Sequence, residues 1–359
     1  MAATSFRNDY SEGAHPRLLQ ALVEASAEQN DGYGLDRHSL RAAELIRARL
    51  GGINADVHFL SGGTQTNLLA ISSFLRPHQA AISVQGGHIA THETGAIEAT
   101  GHKVLTVPGV EGKLTPALVA QVLGEHTDEH MVQPKLVYVS NSSEVGTIYS
   151  RGELQALSAF CREHGLLLFL DGARLGSALA AEGNDLSLAD IAALCDAFYI
   201  GGTKNGALAG EALVVCNDAL KPDLRYLVKQ RGAMLAKGMF LGAQFEALFE
   251  GDLFLELARH ANAMASRLRA ALSAMGVSFL ADSPTNQLFP VLPAAAVETL
   301  EQRYGFHRWQ AMADGRIAIR LVTSWATQAE AVDDFIASAR GVLGEPDVRA
   351  ESIARGKVA

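Results

Sequence analysis

The 359-residue chain is 48% hydrophobic and 19% charged, the composition of an ordinary globular protein with enough length for a sizeable core and two domains. Its formal net charge of −9 argues against the basic field on which non-specific nucleic-acid binding depends. No stretch approaches a membrane span, residues 1–7 carry no apolar signal core, and Cys161, Cys195 and Cys216 have neither paired nor metal-ligand spacing, so a cytoplasmic protein with buried, reduced thiols is expected.

Residues 1–35 read as an irregular N-terminal segment holding one helix, 16–27. Ser39 is expected to cap a helix with Leu40, Ala43, Ile46 and Leu50 on one side, stopped by Gly51-Gly52. Short apolar strands then alternate with longer helices, and strands are expected at 57–60, 81–84, 103–107, 136–140, 166–170, 197–200 and 212–216. The clearest unit runs from 136 to 170. After its first strand come the capping-box pair Ser150 and Glu153, then Leu154, Leu157, Cys161 and His164 at helical spacing, then Gly165 as terminator before the unbroken apolar strand. Strands without polar alternation, separated by helices, imply a mostly parallel sheet buried on both faces, which makes 36–250 a large α/β domain. Beyond it, a long helix at 253–275, strands at 277–280, 287–291 and 317–322 and a last helix at 327–342 suggest a smaller C-terminal α+β domain over 251–345. Residues 346–359 read as a polar, frayed tail.

Ligands of parallel sheets sit at the carboxyl ends of the strands, and the polar motifs fall there. Ser61-Gly62-Gly63-Thr64-Gln65 follows the 57–60 strand and leads into a helix expected at 67–75. Helix N-termini offer unpaired N–H groups and glycine lets an anion approach, so Gly63, Thr64 and Gln65 are the candidate phosphate cradle. A plain strand-to-helix turn is the bland alternative. No Gly-x-Gly-x-x-Gly and no Gly-Lys-Ser/Thr is present, which weighs against a dinucleotide site and a P-loop. Asp171 and Lys204 each follow an apolar strand. A lysine at the mouth of a buried sheet can shed its proton by desolvation and condense with an aldehyde. A carboxylate on a neighbouring strand suits the ring nitrogen of pyridoxal phosphate, the aldehyde cofactor that needs both. Either feature alone is common; together with the upstream loop they point to a pyridoxal phosphate enzyme.

His88, after Gly86-Gly87, is flat enough to stack on a pyridine ring and can exchange protons, with a satisfied structural histidine as the alternative. His88 and His92 stand four apart beside Glu93, but no third ligand is placed and no metal is expected. Arg174 and Arg320 are candidate forks for a substrate carboxylate. Glu144 faces the same rim as a candidate catalytic group, with a solvated loop carboxylate as its alternative.

Over nearly its whole length the chain resembles the threonine aldolase/β-eliminating lyase group of fold-type I pyridoxal phosphate enzymes. Phe6-Arg7-Asn8-Asp9-Tyr10 resembles the opening motif, with Asn8 where a serine is common, and Asp31-Gly32-Tyr33-Gly34-Leu35-Asp36 resembles the Tyr-Gly-x-Asp segment. The 61–68 loop, His88 with Glu93 and Gly95, Asp171-Gly172-Ala173-Arg174, Gly201-Gly202-Thr203-Lys204-Asn205-Gly206 and Ile319-Arg320-Leu321-Val322-Thr323 carry the rest. The resemblance implies an aspartate aminotransferase-like fold and a homodimer or homotetramer. It places the cofactor on Lys204, with Gly63, Thr64, Gln65, His88, Asp171 and Thr203 around it. Asn8, Arg174 and Arg320 would bind substrate, and Lys204, His88 and Glu144 would be catalytic.

The implied reaction is aldol cleavage of β-hydroxy-α-amino acids of the threonine, allo-threonine or phenylserine type to glycine and an aldehyde. Two departures stand out. Glu144 replaces a histidine carried by many members, and Met239 replaces an arginine that often reaches the neighbouring subunit's cofactor phosphate, leaving Arg231 and Lys237 as substitutes. β-Elimination and transamination use the same residues and remain open. A non-catalytic, regulatory cofactor-binding protein is the alternative of another class, disfavoured by the two clamp arginines.

Overall fold

A computed structural model describes residues 4–344 and is built on a seven-stranded sheet. Its strands in chain order are β1 (Asp56–Leu60), β2 (Gln79–Val84), β3 (Val104–Val107), β4 (Gln133–Ser140), β5 (Leu167–Asp171), β6 (Ala197–Gly201) and β7 (Glu211–Val215). The spatial order is β1-β7-β6-β5-β4-β2-β3, and only β7 runs antiparallel to its neighbours. The expectation of a mostly parallel, doubly covered sheet is met. Alternate side chains feed opposite cores: Val137, Val139, Phe198 and Ile200 on one face, Leu136, Tyr138, Ala197 and Tyr199 on the other.

β7 explains one feature the strand pattern concealed. The link from Gly201 to Glu211 is too short for a helical crossover, so the chain returns as a hairpin. An antiparallel strand begins where its parallel neighbours end, and Glu211 therefore stands level with Leu60 and Gly201 at the ligand-binding edge.

A smaller antiparallel sheet is centred on Arg316–Val322, flanked by Gln287–Leu288, Pro290–Pro293 and His307–Ala311. The single strand expected at 287–291 is split at Phe289. Phe6 packs into this unit's core with Leu268, Leu321 and Phe335, and its carbonyl accepts from the Val322 N–H at 2.8 Å. Residues 4–6 thus lie beside the C-terminal sheet, which carries Asp9 to the edge of the large sheet. The polar tail at 346–359 lies outside the described residues. Among the described residues no helix is long and apolar enough to cross a membrane.

Two helix starts differ from expectation. Asp36, not Ser39, caps Arg37–Arg47: its carboxylate accepts from both the Ser39 N–H and the Ser39 hydroxyl, which places Ser39 inside the first turn. The helix expected at 67–75 begins earlier, as Gly63–Phe74, because the Thr66 N–H already bonds to the Gly62 carbonyl.

The ends of β5 and β6 approach so closely that only glycine fits. A side-chain carbon at Gly172 would overlap the Tyr199 carbonyl, and one at Gly201 would overlap the Ala173 backbone. The Gly201 N–H donates to the Gly172 carbonyl at 2.9 Å, locking the segments that present Asp171 and Lys204. Gly172→Ala should lower unfolding stability by on the order of 3 kcal/mol, since backbone cannot yield as a flexible side chain does. Chemical denaturation of the cofactor-free protein measures this, and a change below about 0.5 kcal/mol would show that the two strand ends are not locked.

Candidate active site

A cleft of about 330 Å³ opens at the carboxyl ends of the parallel strands. Gly63 and Thr64 form one wall, as the first turn of the helix that leaves β1. That turn has only Gly62 as its N-cap, with no side chain accepting from its N–H groups, so the positive helix end is left for a ligand. His88, Glu144, Asp171, Arg174, Thr203 and Lys204 line the same cleft.

Asp171, only 4% exposed, is the most fully hydrogen-bonded group in the cleft. Its Oδ2 accepts from the Tyr138 hydroxyl at 2.5 Å and the Asn67 amide at 3.0 Å, and its Oδ1 accepts from the Tyr199 hydroxyl at 2.5 Å and the Ala173 N–H at 2.9 Å. Burial alone would raise its pKa, but these bonds hold it below the usual carboxylate value. Burial, reinforced by the Asp171 charge, pushes both tyrosines well above theirs. The hydroxyls are therefore donors, and the aspartate is an ionised acceptor.

Asn67 extends the network by donating also to Glu93 Oε1 at 2.7 Å, the oxygen that receives His88 Nδ1–H at 2.7 Å. A carboxylate only accepts, which fixes the proton on Nδ1 and leaves Nε2 as the exchangeable edge. Burial works to lower the His88 pKa, yet Glu93, Glu144 and Asp171 together raise it.

Lys204 is the opposite case: burial first, then the Arg174 guanidinium, lowers its pKa and favours the neutral, nucleophilic amine. Two acids near it were not singled out from the sequence. Glu211 accepts from the Gly202 N–H at 3.1 Å and is pushed up to about 8 by burial, although Thr203 and Lys204 pull it back. Asp9 is held low despite burial, because Arg174 and Lys204 outweigh desolvation. The short β6–β7 link could have pointed to Glu211. Asp9 lies in the opening motif, but its pairing with Arg174, 165 residues further on, has no mark in the sequence.

Not every expected residue reaches the cleft wall. Arg174 does, but its fork is already spent on Asp9, with Nε–Oδ2 at 2.7 Å and Nη2–Oδ1 at 3.1 Å, leaving the Nη1 edge. Arg320 stands outside the wall, over Trp309 at 5.3 Å. Its Nη2 donates to the Arg7 carbonyl at 3.3 Å while its buried Nε has no partner. Burial and the Arg174 charge lower its pKa, which leaves a cation short of an anion. The Asn8 carboxamide oxygen is taken by the Tyr10 N–H and the Ser11 hydroxyl, and Tyr10 lines the cleft instead. The Gln65 side chain props up Ser61, accepting from its N–H and hydroxyl, and is not in the wall. Among the described residues no group of three or more His, Cys, Asp or Glu could hold a metal ion.

The donor set fits pyridoxal phosphate. An uncapped helix end suits a phosphate, an ionised buried carboxylate suits a pyridinium N–H, and a lysine of lowered pKa suits the aldehyde. The Ser142 hydroxyl, buried in the wall without a partner, is a further donor aimed at nothing in the protein.

A family model described as beta-eliminating lyase matches residues 6–295. The low specificity L-threonine aldolase of Pseudomonas aeruginosa is 34% identical over 343 residues, covering 94% of this chain and 98% of that one. Its counterpart in Escherichia coli strain K12 is 31% identical over 260 residues, 71% of this chain and 75% of the other. Among solved structures, Leishmania major threonine aldolase matches with a TM-score of 0.93 at 52% identity, over 95% of this chain and all of that one. Thermus thermophilus aspartate aminotransferase matches with a TM-score of 0.73 at 18% identity over 94% and 91% of the two chains, a likeness of fold alone.

Because the Glu93 bond is a principal cause of the raised His88 pKa, Glu93→Gln should move His88 protonation to lower pH in the cofactor-free protein. A raised folded pKa stabilises fully below the unfolded value of 6.5, and that stability is lost as pH rises through the folded value. The stability gap between wild type and variant should therefore narrow with rising pH. Histidine NMR titration and denaturation at several pH values test this; an unmoved midpoint would remove Glu93 as the cause.

Proposed function

The chain belongs to the beta-eliminating lyase family, and we propose that within it this enzyme cleaves β-hydroxy-α-amino acids to glycine and an aldehyde, with pyridoxal phosphate carried on Lys204. The observation that carries this reading is that Lys204, Asp171 and the uncapped helix turn at Gly63 share one cleft. The relatives named as threonine aldolases support the reaction type, and nothing in the cleft favours β-elimination or transamination over it.

When bound, the cofactor supplies an electron sink for the pair left on Cα as the Cα–Cβ bond breaks. The first-turn N–H groups of Gly63 and Thr64, helped by Thr203, would hold the phosphate. Asp171, which four donors hold ionised, would keep the ring nitrogen protonated. His88, with its Nδ1 proton tied to Glu93, would offer its flat face to the ring. Arg320, with its unpartnered Nε, binds the substrate carboxylate, and Arg174 adds its remaining edge. Fixing the carboxylate at two arginines would restrict how the substrate turns in the cleft, which is what selects the bond at Cα that is broken.

Glu144 takes the β-hydroxyl proton. It sits in the same wall as Lys204, tethered by the Ser140 hydroxyl at 3.2 Å. An adjoining hollow of about 380 Å³, lined by Glu144, Val84, Val145, His92 and Trp309, has room for the substituent on Cβ.

A homodimer or homotetramer is part of the same reading. Tyr33, Leu35 and Leu40 are about half exposed, and Gly238, next to Met239, packs against Gly34. A cytoplasmic location agrees with three free cysteines.

Borohydride reduction of the loaded protein followed by peptide mapping should place a pyridoxyl label on Lys204, and Lys204→Ala should lose both label and turnover. A panel of threonine, allo-threonine, phenylserine and serine, assayed for aldehyde, glycine and 2-oxo acids, should give aldehyde and glycine in equal amounts from the first three. The 2-oxo acid of β-elimination as the main product (2-oxobutyrate from the threonines, phenylpyruvate from phenylserine) would overturn the aldol assignment. Glu144→Gln should lower kcat by about a hundredfold or more while glycine affinity changes little; an unchanged kcat would remove Glu144 from the chemistry.

A further inference from the structure

We propose that the Tyr199 hydroxyl is a placeholder on Asp171: it fills the lone pair that the cofactor's ring nitrogen requires and must release it when the ring arrives. This rests on the reading of Asp171 as the partner of that nitrogen, and goes beyond it by stating what the protein gives up to make the bond.

A carboxylate has about four lone-pair sites. Asp171 fills all four from within the protein, two on each oxygen. A ring N–H can join only if one donor leaves or all are weakened, and the four are not equally free to move. The Ala173 N–H is backbone, held in the glycine-locked turn between β5 and β6. The Asn67 amide is fully buried and also donates to Glu93, so its departure would break a second bond. Tyr138 and Tyr199 are equally buried in the sheet, each 1% exposed, but Tyr138 is no part of the cleft wall. Tyr199 does line the cleft, and its hydroxyl stands on the ligand side: a side-chain carbon added at Gly63 would lie 3.2 Å from it. It therefore occupies the space between the carboxylate and the phosphate-binding turn, where the ring must enter.

The consequence is a stored competition. With the cleft empty, Tyr199 stabilises the buried charge of Asp171 and so the folded protein. On loading, a charge-assisted bond from the pyridinium replaces that of the hydroxyl, and the protein's own hydrogen bond is subtracted from the cofactor's affinity.

The test measures cofactor affinity without turnover. Cofactor-free wild type, Tyr199→Phe and Tyr138→Phe are titrated with pyridoxal phosphate, and with its 1-deaza analogue, in which a C–H replaces the ring nitrogen. Binding is followed by the absorbance of the bound chromophore. Tyr199→Phe should bind pyridoxal phosphate about tenfold more tightly than wild type, the lower end of what a hydrogen bond to a charge is worth. The gain should vanish with the deaza analogue and be absent in Tyr138→Phe. Should the variants fail to fold, wild type labelled with 3-fluorotyrosine carries the question: the fluorine resonance of Tyr199 should shift on loading with pyridoxal phosphate and much less with the analogue. Equal or weaker binding by Tyr199→Phe, or equal shifts with the two ligands, overturns the placeholder. Failure of wild type to bind pyridoxal phosphate at all overturns the cofactor reading instead.

Discussion

A carboxylate taken out of water must be compensated by fixed donors, and the buried Asp171 charge is the constraint around which the cleft is built. Isolated, it would be pushed toward its protonated form, and the site would lose the negative charge that suits a pyridinium N–H. Two tyrosines, an asparagine and a backbone N–H prevent this, and each is supplied by a different element: Tyr138 from β4, Tyr199 from β6, Asn67 from the helix after β1, and Ala173 from the turn after β5. Packing those elements closely enough requires glycine at 172 and 201. The same close approach sets Lys204 beside Asp171.

The remaining charges divide into satisfied and waiting groups. Asp9 and Arg174 neutralise each other with two hydrogen bonds in the interior. Arg320 is half in a cation–π contact and half unpartnered, and Lys204 is pushed toward neutrality by burial and by Arg174. One cation without a full partner, an open helix N-terminus and an orphaned serine hydroxyl are groups left for anions to satisfy. A phosphate and an α-carboxylate would do so together.

How much of this could be read from the residues depended on the range of the interaction. The alternation of apolar strands with helices indicated the doubly covered sheet, because burial on both faces removes polar residues from every strand. Lys204 and Asp171 were recognisable because each follows such a strand directly. Ser39 was mistaken for a cap because Asp36 and Ser39 both suit a helix start, and only the carboxylate's two bonds decide between them. Arg174 was read as free to grip substrate, since nothing near it in sequence competes for its fork. Its partner Asp9 arrives through the docking of the first residues beside the C-terminal sheet.

By itself, then, the order of residues determined the fold class, the family and the types of group at the strand ends, since local burial, turn chemistry and motif spacing are properties of neighbouring residues. Which of those groups are occupied with one another was decided only by the tertiary structure. The two tyrosines on Asp171, the acid at Glu211 and the Asp9–Arg174 pair come from segments that meet solely through sheet order and strand direction. Hydrogen bonds form over about 3 Å in space, and no distance along the chain encodes that.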